Sequence, residues 1–411
     1  EELTRMYIDR IKRYDPQLQA VITLMEAEAL EKARLADAEI ASGRYRGPLH
    51  GIPYGAKDLL AYPGHKTTWG ATPYKDQTID VKATVIAKLE AAGAILVAKT
   101  TLGALAWGDV WFGGTTKNPW DLEQGSSGSS AGSTSAVSAG LLPFAIGSET
   151  WGSIVSPSTR TRITGLRPTF GRVSRHGAMP LSWSMDKLGP ICRDALDCAI
   201  IFDVIRGSDG FDRSVIDASF NFDATRSLDG IRFGYVKEWF EDEPKDVLDA
   251  MRAQGVELIE VNFPEMNIDP LSIILSVEAS AAFEDLTLSN RDDLLVRQMR
   301  NAWPNVFRAG RMIPAVDYLQ ANRLRTRLIE ETHKALSSVD VVIVPSFAGG
   351  QLLLTNLTGH PAVVMPTKDG NSITFVGQLF DEATLIRAAM AWQAASDIHL
   401  QQPPLFTVKP Q

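Results

Sequence analysis

Along the first forty residues, apolar and charged positions alternate with the three-to-four-residue repeat of a helix face. The repeat is broken at Pro16 and stopped at Gly43, so it predicts two helices joined by a short connection. Beyond them the period changes. "GIPYGAKDLL" reads as a strand after a turn, "KATVIAKLEAAGA" as a helix and "ILVAKT" as a strand, the order of an α/β crossover. "LLPFAIG" reads as a buried strand and "ICRDALDCAI" as a helix. "IRFGYV", "VELIEV", "VDVVIVPS", "PAVVMP" and "SITFVGQL" follow as strands. Between and after them come "KDVLDAMRAQG", a long helical region from about Pro270 to Ser337, and the helix "DEATLIRAAMAWQAAS". The pattern predicts the α/β class: one large mixed, twisted β-sheet covered by helices on both faces. It predicts a single domain over 1–411, with N-terminal helices in 1–44, a core in 45–205 and the rest of the sheet with its covering helices in 206–411. The abrupt passage "VPSFAGGQLLLTN" suggests a loop missing around Gly349 to Gln351.

One stretch does not fit the alternation. "GSSGSSAGSTSAVSAG", Gly125 to Gly140, holds fourteen Gly, Ser or Ala residues in sixteen. Composition alone makes it a flexible linker. Yet it feeds directly into a core strand, which no linker explains.

Composition narrows the function. Apolar residues at 45% and charged residues at 22% are ordinary for a globular chain and exclude disordered and fibrous classes. The formal net charge of −8 and the lack of a basic run argue against nucleic acid as a partner. No apolar run approaches a membrane span. Only Cys192 and Cys198 are present; on one helix, six residues apart, their thiols would point away from each other, which suits a reducing compartment and a cytoplasmic location. The chain starts at Glu1 rather than Met, which leaves an upstream signal open. The six histidines are scattered without ligand spacing, so no metal and no cofactor is expected.

Seven serines in the Gly/Ser stretch offer nucleophiles, but a serine hydroxyl needs a base, and no histidine lies beside them. A lysine serves if burial keeps it neutral. Lys57, at the end of a strand of small and apolar residues, meets that need.

These residues resemble the amidase signature family. "GIPYGAKD" is similar to its lysine strand, "KNPWDLEQGSSGSSAGSTSAVSAGLLPFAIGSETWGSIVSPS" to its Gly/Ser signature, and "GLRPTFGRVSRHGAMPLSWSMDKLGPICRDALDCAIIFDVIRG" to the segment after it. "LTGHPAVVMP" with "FDEATLIRAAMAWQ" resembles the C-terminal part, and Asp209 to Ser337 matches least. The resemblance implies the amidase signature fold and a Ser, cis-Ser, Lys triad. In this chain Ser153 takes the nucleophile's place, Ser129, joined by a cis bond to the residue before it, takes the bridging serine's, and Lys57 the base's. Backbone N–H groups of Thr150, Trp151, Gly152 and Ser153 would form the oxyanion hole, worth about 3 kcal/mol per donor.

Around these, Ser130 and Ser133 are expected as supporting donors or helix caps, and Asp58 and Asp186 as structural hydrogen-bond acceptors. His176 is read as a satisfied loop residue, and Trp107, Trp111, Trp120 and Trp183 as core more than pocket lining. Two positions depart from the family: Trp151 stands for a glycine and Val155 for an arginine. Tryptophan would be strained at φ > 0, and the lost arginine removes a positive charge. Trp151 and Val155 are therefore expected to bind substrate and to favour uncharged amides with an aryl or other apolar group near the carbonyl. Arg160 and Arg162 make the next stretch unusually basic, without an account from the sequence. The implied activity is hydrolysis of small-molecule amides, with carbamates or aryl esters as related substrates, by a monomer or homodimer. The alternative is the catalytic subunit of a tRNA-dependent amidotransferase, which needs partner subunits, ATP and Mg²⁺.

Overall fold

Continuous runs of apolar and small residues become strands buried on both faces, and eleven of them join one mixed sheet in the computed structural model, which describes residues 1–241 and 245–407. In chain order the strands are β1 (Val21–Leu24), β2 (Pro53–Lys57), β3 (Ile95–Thr100), β4 (Val110–Trp111), β5 (Gly114–Thr115), β6 (Lys117–Asn118), β7 (Asp121–Gly125) and β8 (Phe144–Glu149). They continue with β9 (Thr164–Arg167), β10 (Lys187–Cys192), β11 (Phe233–Tyr235), β12 (Leu258–Glu260), β13 (Val341–Pro345), β14 (Ala362–Pro366) and β15 (Ser372–Gly377). The large sheet runs β1-β3-β2-β8-β10-β9-β14-β15-β13-β11-β12, while β4–β5 and β6–β7 form two small ribbons. β2 lies parallel to β3 and β8, and β11 parallel to β12 and β13; the other pairs are antiparallel, so the sheet is mixed as expected.

The helices are α1 (Glu2–Leu18), α2 (Glu26–Ala41), α3 (Thr84–Ala91), α4 (Ala131–Ser138), α5 (Val155–Thr161), α6 (Ala195–Ile205) and α7 (Asp246–Ala253). After them come α8 (Ile273–Ala282), α9 (Glu284–Leu288), α10 (Trp303–Gly310), α11 (Ala315–Ala335), α12 (Gln351–Thr358) and α13 (Glu382–Ala394).

Two expectations change. Pro16 does not break α1: it sits in the last turn, where its missing N–H and the clash of its ring with the carbonyl four residues back disturb only the end of the helix. The helix closes at Gln19 in a left-handed conformation, and Asp15 Oδ1 accepts from the N–H groups of Ala20 and Val21 as the chain turns into β1. The two cysteines do not share a helix. Cys192 ends β10, Asp194 caps α6 by accepting from Leu196 N at 2.7 Å, and Cys198 lies inside α6. Both thiols are free and buried, and they neighbour one another rather than turn apart: burial first, then Cys198 beside it, raises the Cys192 pKa. At Gly349 the chain passes through a single 3₁₀ turn, Ala348–Gly350, straight into α12.

The Gly/Ser stretch, whose direct run into a core strand no linker explained, is α4 and the loop before it. All eight residues of α4 are buried. Its hydroxyls are satisfied locally: Ser133 donates to Ile146 O, Ser135 to Lys117 O and Ser138 to Thr161 O. Small side chains let this helix lie against β8 with its hydroxyls in reach of the strand. A Cβ at Gly147 would stand 2.8 Å from Ser130 Oγ and 2.7 Å from Ile191 Cδ1, so only glycine fits there.

Candidate active site

Lys57 is the last residue of β2 and is fully buried. Its nitrogen lies within hydrogen-bond reach of three hydroxyls, Ser129 Oγ at 2.8 Å, Ser148 Oγ at 2.9 Å and Ser130 Oγ at 3.0 Å, which match the two N–H groups and one lone pair of a neutral amine. Burial drives its pKa well below the ordinary lysine value, and the charges of Asp186 and Glu149 only partly oppose this. The Gly128–Ser129 peptide bond is cis. Ser130 heads α4 without capping it through its side chain. Instead its hydroxyl accepts from Lys57 and donates to Ser148 O at 3.1 Å, and its N–H donates to Ser153 O at 3.1 Å. The loop carrying Ser129 is thereby docked against the turn carrying Ser153.

That turn, Thr150 to Ser153, links β8 to α5. The left-handed φ of +85° falls on Gly152 and not on Trp151, so tryptophan is accommodated without the expected strain. Glu149 fixes the turn from beneath. Its Oε2 accepts from Ile154 N at 2.8 Å and Val155 N at 2.9 Å, and its Oε1 from Arg167 Nη1 and Asn356 Nδ2, both at 2.8 Å. Burial alone would raise this carboxyl, but the Arg167 charge and these bonds hold it at about 2. Sequence reasoning passed over Glu149, although an acid directly before the "TWGS" turn was a signal. It also missed that a cation stays near the site despite Val155: Arg167 comes from β9 and is consumed by Glu149, Thr355 Oγ1 and His360 O. No acceptor for the N–H groups of Thr150, Trp151, Gly152 or Ser153 is found among the described residues.

Asp186 accepts from Thr150 Oγ1 at 2.6 Å and from the N–H groups of Leu181 and Ser182, an acceptor role as expected. Burial raises its pKa against those bonds. Asp58 turns away from the Lys57 cluster: it ion-pairs with Lys99 at 2.6 Å, both fully buried, and accepts from Thr68. The structure does not bring Val155 to a substrate path. It is 1% exposed in the first turn of α5. Trp151 is 43% exposed and outside the lining of the cleft described next.

A cleft opens beside the cluster. Ser148, Thr150 and Asp186 connect it to Lys57 and the turn, Leu59, Met179, Leu181 and Leu188 give it apolar walls, and Arg175, His176, Trp183 and Phe211 complete its lining. His176 is thus more than a loop residue: it stacks on Phe211 at 4.3 Å. Of the four tryptophans only Trp183 lines the cleft. Trp107 packs on Trp303 and Trp111 on Phe112, and Trp120 lies under Arg162 at 4.6 Å, which accounts for that arginine. Arg160 donates to Gln124 Oε1 on the surface. Among the described residues no group of His, Cys, Asp and Glu could hold a metal, and no helix is long and apolar enough to cross a membrane.

The buried Lys57 thus meets serine hydroxyls and no histidine among its hydrogen-bond partners, and comparison with known proteins gives the class of the chain. Residues 2–386 match the family model described as Amidase, and the chain belongs to that family. It is 33% identical over 446 residues to a putative amidase AmiD of Mycobacterium bovis, covering 98% of this chain and 92% of the relative. It is 31% identical over 461 residues to a glutamyl-tRNA(Gln) amidotransferase subunit of Roseiflexus sp., covering 98% and 94%. The fold matches the native peptide amidase of Stenotrophomonas maltophilia with a TM-score of 0.86 at 27% identity, over 99% of this chain and 95% of that one. Both sequence alignments are longer than the 411 residues here, so these relatives carry segments that this chain lacks.

Proposed function

We propose that the chain hydrolyses carbon–nitrogen bonds of small uncharged amides through an acyl-enzyme on Ser153. Ser153 Oγ attacks the carbonyl carbon, its proton passes to Ser129, and the Ser129 proton passes to neutral Lys57. The tetrahedral oxyanion is received by free N–H groups of the Thr150 to Ser153 turn. Collapse expels the amine, which takes the proton back along the same relay, and water repeats the sequence to release the acid. One observation carries this reading: a fully buried lysine nitrogen 2.8 Å from Ser129 Oγ, with hydroxyls as its closest side-chain partners. Carbamates and aryl esters present the same carbonyl and are read as related substrates. The protein is taken to act alone in the cytoplasm, as a monomer or homodimer, without a cofactor.

The second reading, the glutaminase subunit of an amidotransferase, is favoured by the Roseiflexus relative. Against it stand the buried Val155 and the occupied Arg167, which leave no arginine of the turn or the strand beneath it to grip the α-carboxylate of glutamine. The purified chain is tested with a neutral anilide and with glutamine, alongside labelling of Ser153 by a fluorophosphonate. Labelling with anilide turnover well above glutamine turnover is expected. Glutamine turning over equally well, or only when partner subunits are added, would give the second reading first place.

A further inference from the structure

The wall of the cleft facing its apolar side comes from a stretch where the family resemblance is weakest. Phe211 and Asp212 lie in the loop after α6, and Asp209 pins that loop down. Asp209 Oδ1 accepts from the N–H groups of Phe211 at 2.8 Å and Asp212 at 3.0 Å, and its Oδ2 accepts from Thr84 Oγ1 at 2.5 Å and from Ser174 Oγ. The loop is therefore held to α3 and to the segment carrying Arg175 and His176. On this support the Phe211 ring lies over the His176 ring at 4.3 Å with an interplanar angle of 17°. Phe211 is 69% exposed, so most of its surface stays open to a ligand in the cleft it lines.

Arg175 is the one arginine or lysine in the described lining of the cleft. Four of its five N–H donors are taken. Nε donates to Asp212 Oδ2 at 2.8 Å, Nη2 to Asp212 Oδ1 at 3.1 Å and Ser214 Oγ at 2.7 Å, and Nη1 to Trp183 O at 2.5 Å. The Asp212 contact is the two-pronged arrangement by which arginine would otherwise hold a substrate carboxylate. An internal carboxylate already fills that position.

We propose that the Asp209 to Ser214 loop determines what the cleft admits: Phe211 with His176 forms a flat wall for an aromatic ring of the substrate, and Asp212 excludes a substrate carboxylate by occupying Arg175. This rests on the amidase reading and names the substrate class of that site, a neutral aryl amide.

Binding tests it apart from turnover. Calorimetry on the Ser153→Ala protein compares benzamide, isobutyramide and 4-carbamoylbenzoate. Phe211→Ala on that background is expected to weaken benzamide about tenfold, as loss of a ring-stacking surface does, with isobutyramide changed less than about twofold. Asp212→Asn is expected to tighten 4-carbamoylbenzoate about tenfold by freeing Arg175, and Arg175→Gln added to it should remove the gain. Equal weakening of benzamide and isobutyramide by Phe211→Ala would overturn the wall, and a folded Asp212→Asn without gain for the carboxylate would overturn the exclusion. Should Asp212→Asn not fold, the exclusion is read without it: 4-carbamoylbenzoate should bind at least about tenfold more weakly than benzamide with Asp212 in place, and equal binding overturns it. Benzamide that binds but is never hydrolysed with Ser153 intact would count against the amidase reading alone.

Discussion

At the scale of single residues the site turns on proton affinity. Ser153 O accepts from Ser130 N at 3.1 Å, which docks its turn on the Ser129 loop, while the other hydroxyl of the turn, Thr150 Oγ1, donates to Asp186; with Ser153 as the proposed nucleophile, Ser153→Ala is expected to abolish amide turnover while circular dichroism stays unchanged. Ser129→Ala and Lys57→Ala should each lose about three orders of magnitude or more in kcat/KM, since members of one relay fail together. A Ser129→Ala enzyme with near-normal amide rates would remove the relay. The direction of the Lys57 shift fixes the pH profile. Burial favours the neutral amine, the neutral amine is the proposed base, and so kcat/KM should rise with pH through a pKa below the ordinary value of about 10.4 and then level off. A second lysine competes for this assignment. Lys187 is buried in β10, donates to Met185 O, and is pushed down to about 7, first by burial and then by the Arg167 charge, against Glu149 and Asp186. Lys187→Gln should leave the rising limb where it is. A limb that vanished in Lys187→Gln, with Ser153 still reactive toward a fluorophosphonate, would assign the titration to Lys187 instead.

Elements set the geometry that those residues need, and the junction of β8 with α5 is the critical one. Glu149 joins the first N–H groups of α5 to Arg167 on β9 and Asn356 on α12, so one carboxylate registers three elements around the oxyanion turn. Its folded pKa of about 2 lies below the ordinary 4.5, so it contributes stability that is present above pH 4.5 and is lost as pH falls toward 2. The difference corresponds to about 3 kcal/mol. Glu149→Gln should therefore lose about 3 kcal/mol at pH 7 and almost nothing near pH 2 in denaturant titrations. A loss of equal size at both pH values would show that packing, not charge, is what the side chain supplies. The lysine strand, the buried β8 and the serine loop were legible in the sequence because their patterns are local: small residues at fixed spacing, a lysine closing an apolar run. Glu149 was not legible as a clamp, since its partners Arg167 and Asn356 are brought in by β9 and α12. Val155 misled for the opposite reason. Position in the sequence set it beside the nucleophile, but one turn of helix aims it into the core.

Over the whole molecule the alternation of strand and helix periods sufficed for the α/β class and the single large sheet, because strands covered on both faces read as unbroken apolar runs. It did not reveal α4, where buried hydroxyls stand in for apolar contacts, nor the Phe211 wall, which depends on a loop folding back on a distant turn. The sheet also bears on the single-domain reading. The 45–205 core and the 206–411 remainder meet at β9 and β14, paired antiparallel from Ala362 opposite Arg167 to Val364 opposite Gly165. Polar contacts cross the same seam: Arg172 with Glu382, both fully buried, Glu149 with Asn356, and Thr159 with Ser372. Parting the halves would strand these groups unpaired in an apolar interior, at a cost of about 1 to 3 kcal/mol for each neutral group and more for each charge. That cost couples the halves, and one cooperative unfolding transition is expected. Cys192 and Cys198 report on the core half, since both are fully buried where β10 meets α6 and react with a thiol reagent only once that interface opens. Trp392 of α13 and Trp303 of α10, both buried in the other half, contribute to the near-ultraviolet dichroism. In urea, thiol labelling and the dichroism signal should follow one curve with one midpoint. Two separate midpoints would mean that one part of the sheet unfolds without the other and that the chain is two units sharing a sheet.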